Sequence, residues 1–107
     1  MTPKKPFVLA YAPAVGEHLR AIEKRHASLI RNKIEEQLRF EPDMETRNRK
    51  PMKRMSSLDA TWEIRFGPDN QFRVFYDVHP EVNEVHILAI GEKKGNRLLI
   101  GGEEFEI

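Results

Sequence analysis

Arg65 and Arg73 stand in the middle of two apolar stretches within "WEIRFGPDNQFRVFYDV", residues 62–78. A guanidinium is a planar cation with a fork of N–H donors, so it grips a carboxylate or a phosphate through two bonds at once. Glu63 and His86 add a carboxylate and an imidazole, groups that take up or release a proton. Lys93 follows the last apolar stretch. Arg49, Lys50, Lys53 and Arg54 fall in the acid-free run "RNRKPMKR", 47–54, and Lys94 and Arg97 in "GEKKGNR", 91–97. Phe75 offers a ring on which a base stacks. Together these types favour recognition of an anion, and above all of a phosphate backbone with cations around it.

An ordinary structural reading competes with this one. Glu63 and Asp77 can neutralise the arginines as cross-strand ion pairs on a solvated face, as in most sheets. A single histidine on a strand is more often a surface or packing residue, and His18, His26 and His79 stand without partners in helical or turn contexts. The anion reading therefore carries a condition. Both guanidiniums must point away from the apolar core and stay free of a saturated carboxylate pair.

The elements that position these groups follow from periodicity. Trp62, Ile64 and Phe66 alternate with Glu63 and Arg65, and Phe72, Val74, Tyr76 and Val78 with Arg73, Phe75 and Asp77, the period-2 pattern of half-buried strands. Strands are expected over 61–66, 71–79 and 83–91, joined by the turns "GPDNQ" and "HPEVNE", hence an antiparallel meander of three strands. Before them, 7–12 reads as a first strand ended by Pro13. Val15, Leu19, Ile22, Leu29, Ile30, Ile34 and Leu38 recur at helical spacing, with a break near "RHAS" where Ser28 would cap a second helix. Residues 41–50 read as a loop, 51–58 as a weak strand, and the glycine-broken segment after Gly91 as a loop, a short edge piece and a partly mobile end.

The expected fold is α+β: an N-terminal strand, a helical hairpin, then the meander, with the helices on one face of the sheet. Trp62, Ile64, Phe66, Phe72, Val74, Tyr76, Val85, Ile87 and Ala89 would form a single core. Glu63, Arg65, Arg73, Phe75, Asp77, His86, Leu88 and Ile90 would occupy the open face.

Composition sets outer bounds. A chain of 107 residues fits one domain, 1–107. Hydrophobic residues at 39% and charged residues at 33% suit a globular protein with a modest core. With no cysteine there is no disulfide and no thiolate metal site. The net charge is only +1, so attraction to a polyanion has to come from local clustering. No apolar run approaches the ~20 residues of a membrane span, and the short run at 7–12 reads as a strand rather than a signal-peptide core; a cytoplasmic protein is expected. Neither GxxxxGK[ST] nor GxGxxG occurs, and no cofactor or metal is expected.

The order strand, helical hairpin, basic loop and then "WEIRF…FRVFYDV…VHILAIGEKKGNR" resembles the RelE/ParE superfamily of toxins from toxin–antitoxin modules, over roughly 7–99. The resemblance implies a RelE-like fold, a cognate antitoxin as partner, and in the RelE branch metal-independent, ribosome-dependent cleavage of mRNA. Contact with DNA would be indirect, through the toxin–antitoxin complex. On that branch Arg65 and Arg73 match the two strand cations, Lys93 matches the cation after the last strand's glycine, and Glu63 falls where many relatives carry another basic residue. The carboxyl-terminal tyrosine position lies nearest Leu99, which has no hydroxyl. Cleavage through the 2′-hydroxyl needs a proton acceptor, charge stabilisation at phosphorus and a donor to the leaving oxygen. The candidate catalytic set is Arg65, Arg73, Lys93, Glu63 and His86, with Arg49, Lys50, Lys53, Arg54, Phe75, Lys94 and Arg97 on RNA. The ParE branch shares the fold and inhibits DNA gyrase by protein contact, and an inactive relative would only bind its antitoxin. Helix positions in 14–40 and the apolar residues Leu98, Leu99, Ile100 and Phe105 would offer the antitoxin a surface.

Overall fold

The computed structural model describes residues 5–52 and 60–105. The chain forms β1 (Val8–Tyr11), α1 (Val15–Arg20), a 3-10 turn (Lys24–His26), α2 (Ala27–Leu38), β2 (Arg49–Pro51), β3 (Trp62–Phe66), β4 (Phe72–His79), β5 (Glu84–Lys94), β6 (Arg97–Ile100) and β7 (Glu103–Phe105). Strands β2 to β7 pair in chain order, each antiparallel to the next, and β1 joins β5 in parallel. On β5, β1 takes Glu84 to Ile87 and β6 takes Gly91 to Lys94.

The expected meander is present as β3, β4 and β5, but among the described residues it is part of a seven-stranded sheet. The tail read as a loop and a mobile end supplies β6 and β7. Ile100 pairs with Glu103, leaving Gly101 and Gly102 as a two-residue hairpin loop with φ of 63° and 82°. Such a loop needs positive φ at its central residues, so these glycines shape a turn and do not break order. At the other edge β2 begins inside the segment read as a loop. The helical break runs over residues 21–26, and His26 rather than Ser28 stands at the start of α2, with no side-chain cap.

On the helix side, Val15, Ile22, Ile30, Ile34 and Leu38 pack on Ile64, Phe66, Phe72, Val74, Tyr76, Val85, Ile87 and Ile90, with Trp62 partly buried at the margin. Ile30, Ile34 and Leu38 lie at successive turns of α2 and bury one stripe of it, as an amphipathic helix must. Ala89 and Ile90 exchange their expected faces. Phe75 pairs with Ala89 and Tyr76 with Ile87, so Leu88 is an extra residue in a β-bulge that reverses the alternation beyond it. Ala89 therefore joins a second cluster on the opposite face, with Ala60, Phe75, Leu98 and Ile100 buried and Met52, Leu88 and Phe105 at its rim. The single core expected from alternation is two.

Candidate anion site on the sheet

Arg65 and Arg73 are direct partners in the β3–β4 register, and Glu63 shares their face two residues along β3. Like charges opposite each other destabilise a pair of strands. Glu63 offsets this by bridging both: its Oε1 accepts from Arg65 Nε at 2.5 Å, and its Oε2 lies 3.7 Å from Arg73 Nη1. Arg73 Nε also donates to the Asn70 carbonyl at 3.4 Å. The side chains of Glu63 and Arg73 are each 4% exposed, whereas that of Arg65 is 42% exposed. Burial pulls the Arg73 guanidinium below its ordinary value, with Glu63 opposing and Arg65 reinforcing that shift.

Both arginines lie on the face away from the helices, but only Arg65 is open. Arg73 is covered because its partner on the far side is Gly91. A Cβ on Gly91 would stand 3.0 Å from both Ile100 Cγ1 and Leu98 Cδ1, so these β6 side chains close over the space a residue would fill beside Arg73. The group thus holds two cations and one carboxylate whose two oxygens are both engaged. It offers one half-exposed guanidinium, not an empty double fork.

Other candidate residues scatter. Phe75 is buried to 1% in the second cluster and presents no ring to a base. Arg49 is in register with Ile64 and turns to the helix side, where its Nη1 donates to the carbonyls of Gln37 at 3.1 Å and Glu41 at 2.7 Å. It satisfies carbonyls at and beyond the end of α2 that lack helical partners, a structural task. Lys50 stays exposed opposite Glu63 and pairs with Glu45 at 3.5 Å. Lys53 and Arg54 lie outside the described residues. Lys93, two residues after Gly91 on the same face, is half-buried and lines a polar hollow of about 370 Å³ with Pro68, Asp69, Gln71 and Gly95. Lys94 reaches Glu92 at 3.9 Å, and Arg97 pairs with Glu104 at 3.3 Å.

His86 does not join the arginines. It pairs with Asp77, four residues along β4 from Arg73, about 13 Å at ~3.3 Å per residue. There its Nε2 lies 2.8 Å from Glu84 Oε1, and its ring packs on that of His79 with centroids 4.2 Å apart. Leu99 pairs with Glu92 and Glu104 and brings no hydroxyl. The Tyr76 hydroxyl is committed to the Pro42 carbonyl at 2.8 Å on the helix side.

The sequence matches no family model and no curated protein. Its backbone is similar to a chain of the toxin–antitoxin complex RelBE2 from Mycobacterium tuberculosis, with a TM-score of 0.68 and 22% identity over 87% of this chain and 98% of that one. The chain has that fold. Among the described residues, seven strands with two helices on one face are consistent with the RelE-like architecture expected from the sequence.

Two further features lie where the sheet meets the helices. Between the stretches of β5 paired with β1 and with β6, the Ile90 N–H donates to His18 Nδ1 of α1 at 3.2 Å. Burial, opposed by Glu17, lowers the His18 pKa and favours the neutral ring this bond requires. Helical periodicity carried no sign of this role, because it depends on where β1 ends and β6 begins. Second, a cleft of about 350 Å³ lined by Tyr11, Val15, Leu19, Ile30, Ile34 and Ile90 opens beside β1 and both helices, with Arg31 and Glu35 at its mouth. No helix among the described residues is long and apolar enough to cross a membrane.

Proposed function

We propose that this chain is the toxin of a toxin–antitoxin module and that it acts on its target by protein contact rather than by cutting RNA. The toxin assignment is supported by the fold it shares with a chain of RelBE2 and by the residue pattern that resembles the RelE/ParE superfamily. The choice of mode rests on one observation: Glu63 bridges Arg65 and Arg73 while Arg73 is 4% exposed. A nuclease of the RelE kind needs cations open to a phosphate and a separate acid–base pair near them. Here the nearby carboxylate is engaged, His86 is remote and Leu99 cannot transfer a proton. The ParE-like activity, inhibition of DNA gyrase, asks none of this of the open face. The apolar cleft between β1 and the helices is a suitable seat for the antitoxin's apolar side chains.

A cleavage reading keeps one observation in its favour. Arg65 is half exposed, and Lys93 shares its face. In that reading Arg65 and Lys93 stabilise the charged phosphorane, Glu63 accepts the 2′-hydroxyl proton, and solvent water protonates the leaving 5′-oxygen as the 2′,3′-cyclic phosphate forms. Tightly controlled expression separates the two. Loss of DNA supercoiling while protein synthesis continues, relieved by a co-expressed antitoxin, is the outcome expected here. Immediate translational arrest that Arg65→Ala abolishes would transfer the assignment to the nuclease.

A further inference from the structure

We propose that Glu63 is a built-in anion: its carboxylate fills the seat between Arg65 and Arg73 that a phosphodiester would otherwise take, and so closes this face of the sheet to nucleic acid. The inference deepens the protein-contact reading and rests on it. It is tested on anion binding in vitro, so its failure is distinguishable from a failure of the cellular activity.

The geometry is that of a bound ligand. Each oxygen of Glu63 meets a different guanidinium, Nε of Arg65 at 2.5 Å and Nη1 of Arg73 at 3.7 Å, in a position almost sealed from water. A phosphodiester has the same single charge and likewise two free oxygens, so exchanging one for the other leaves the local charge balance unchanged. The strand supplies Glu63 at a fixed position, and a tethered group competes at an effective concentration that a free anion of equal charge rarely matches. Lys50, which stands opposite Glu63, is drawn to Glu45, and so adds little to pull the carboxylate away. The half-exposed Arg65 is the edge through which solvent reaches the seat. Withdrawing the charge of Glu63 would leave two adjacent guanidiniums, one of them buried, without the carboxylate that pairs them among the described residues. A tetrahedral oxyanion is the class of ligand that restores the balance.

The variant Glu63→Gln keeps the shape and removes the charge. Its thermal midpoint is expected to rise when sulfate replaces chloride at constant ionic strength, by more than that of the wild type, since a ligand that binds only the folded state stabilises it. Its affinity for a short single-stranded RNA should rise roughly tenfold, and its log affinity should fall more steeply with log salt, by about 0.7 for each phosphate newly engaged. Adding Arg65→Ala should return both readings to those of the wild type. Should Glu63→Gln fail to fold in chloride, recovery of its circular dichroism on sulfate titration carries the same meaning. A folded Glu63→Gln with unchanged RNA affinity and no anion-specific stabilisation overturns the proposal. So does a variant that no sulfate concentration refolds, or a gain in affinity that persists without Arg65.

Discussion

On the helix side of the sheet, Ile30, Ile34 and Leu38 of α2 lie fully covered against Ile64, Phe72, Val74 and Ile87. On the other side of the same sheet, Phe75, Ala89, Leu98 and Ile100 share their space with a buried carboxylate and two guanidiniums. The first face is held by apolar area, which is non-directional and roughly proportional to what is removed from water. The second adds charge pairing, whose worth depends on every partner remaining in place. The helix face should therefore punish truncation and tolerate swaps of equal volume, whereas the opposite face should punish any change that leaves a charge alone.

Phe72→Ala should produce the largest loss, about 3–5 kcal/mol by denaturant titration, because Phe72 is fully covered and its loss leaves a cavity. Glu63→Ala should follow at about 3 kcal/mol, since it strands the buried Arg73. The double variant Glu63→Leu/Arg73→Leu should cost less than Glu63→Ala alone, because it removes both charges together. A double variant costing the sum of the two singles would erase the proposed difference between the faces. Arg49 tests the comparison from the helix side, as a cation held there by the Gln37 and Glu41 carbonyls and the Thr46 hydroxyl. Arg49→Ala should cost about 2 kcal/mol through its lost bonds to the Gln37 and Glu41 carbonyls, with little change in affinity for polyanions.

The smallest effect concerns pH. His18 has a lower pKa folded than unfolded, because burial disfavours its cation. The unfolded chain therefore binds this proton more readily, and the neutral ring's contribution to stability is complete above the unfolded value of 6.5. It is lost as pH falls below that value toward the folded pKa. His18→Gln, which keeps an acceptor for the Ile90 N–H, should flatten stability over that range. An unaltered profile would mean that other groups set the acid response.

Much of this architecture was legible. The alternation in 61–66, 71–79 and 83–91 gave the three central strands, and the spacing of Ile30, Ile34 and Leu38 gave α2, because burial of one face imposes the pattern directly. The bulge at Leu88 was not legible, since one extra residue in a strand rich in Ile, Leu and Ala leaves both phases apolar. Alternation also placed Arg65 and Arg73 on the correct face, but a face is not an exposure. Whether Arg73 meets water depends on Gly91 beside it and on Leu98 and Ile100 closing over that gap, contacts made by a β6 that reads in sequence as a loose tail. Arg49 was misread for a related reason: one register position decides whether a cation on β2 joins the open face or the helix ends.

Primer extension on cellular mRNA after induction of the wild-type chain tests the central claim most directly. If Glu63 closes the cation pair, transcripts on translating ribosomes remain uncut while growth stops. Codon-phased cuts that appear at once and vanish with Arg65→Ala would show instead that this face is open to RNA.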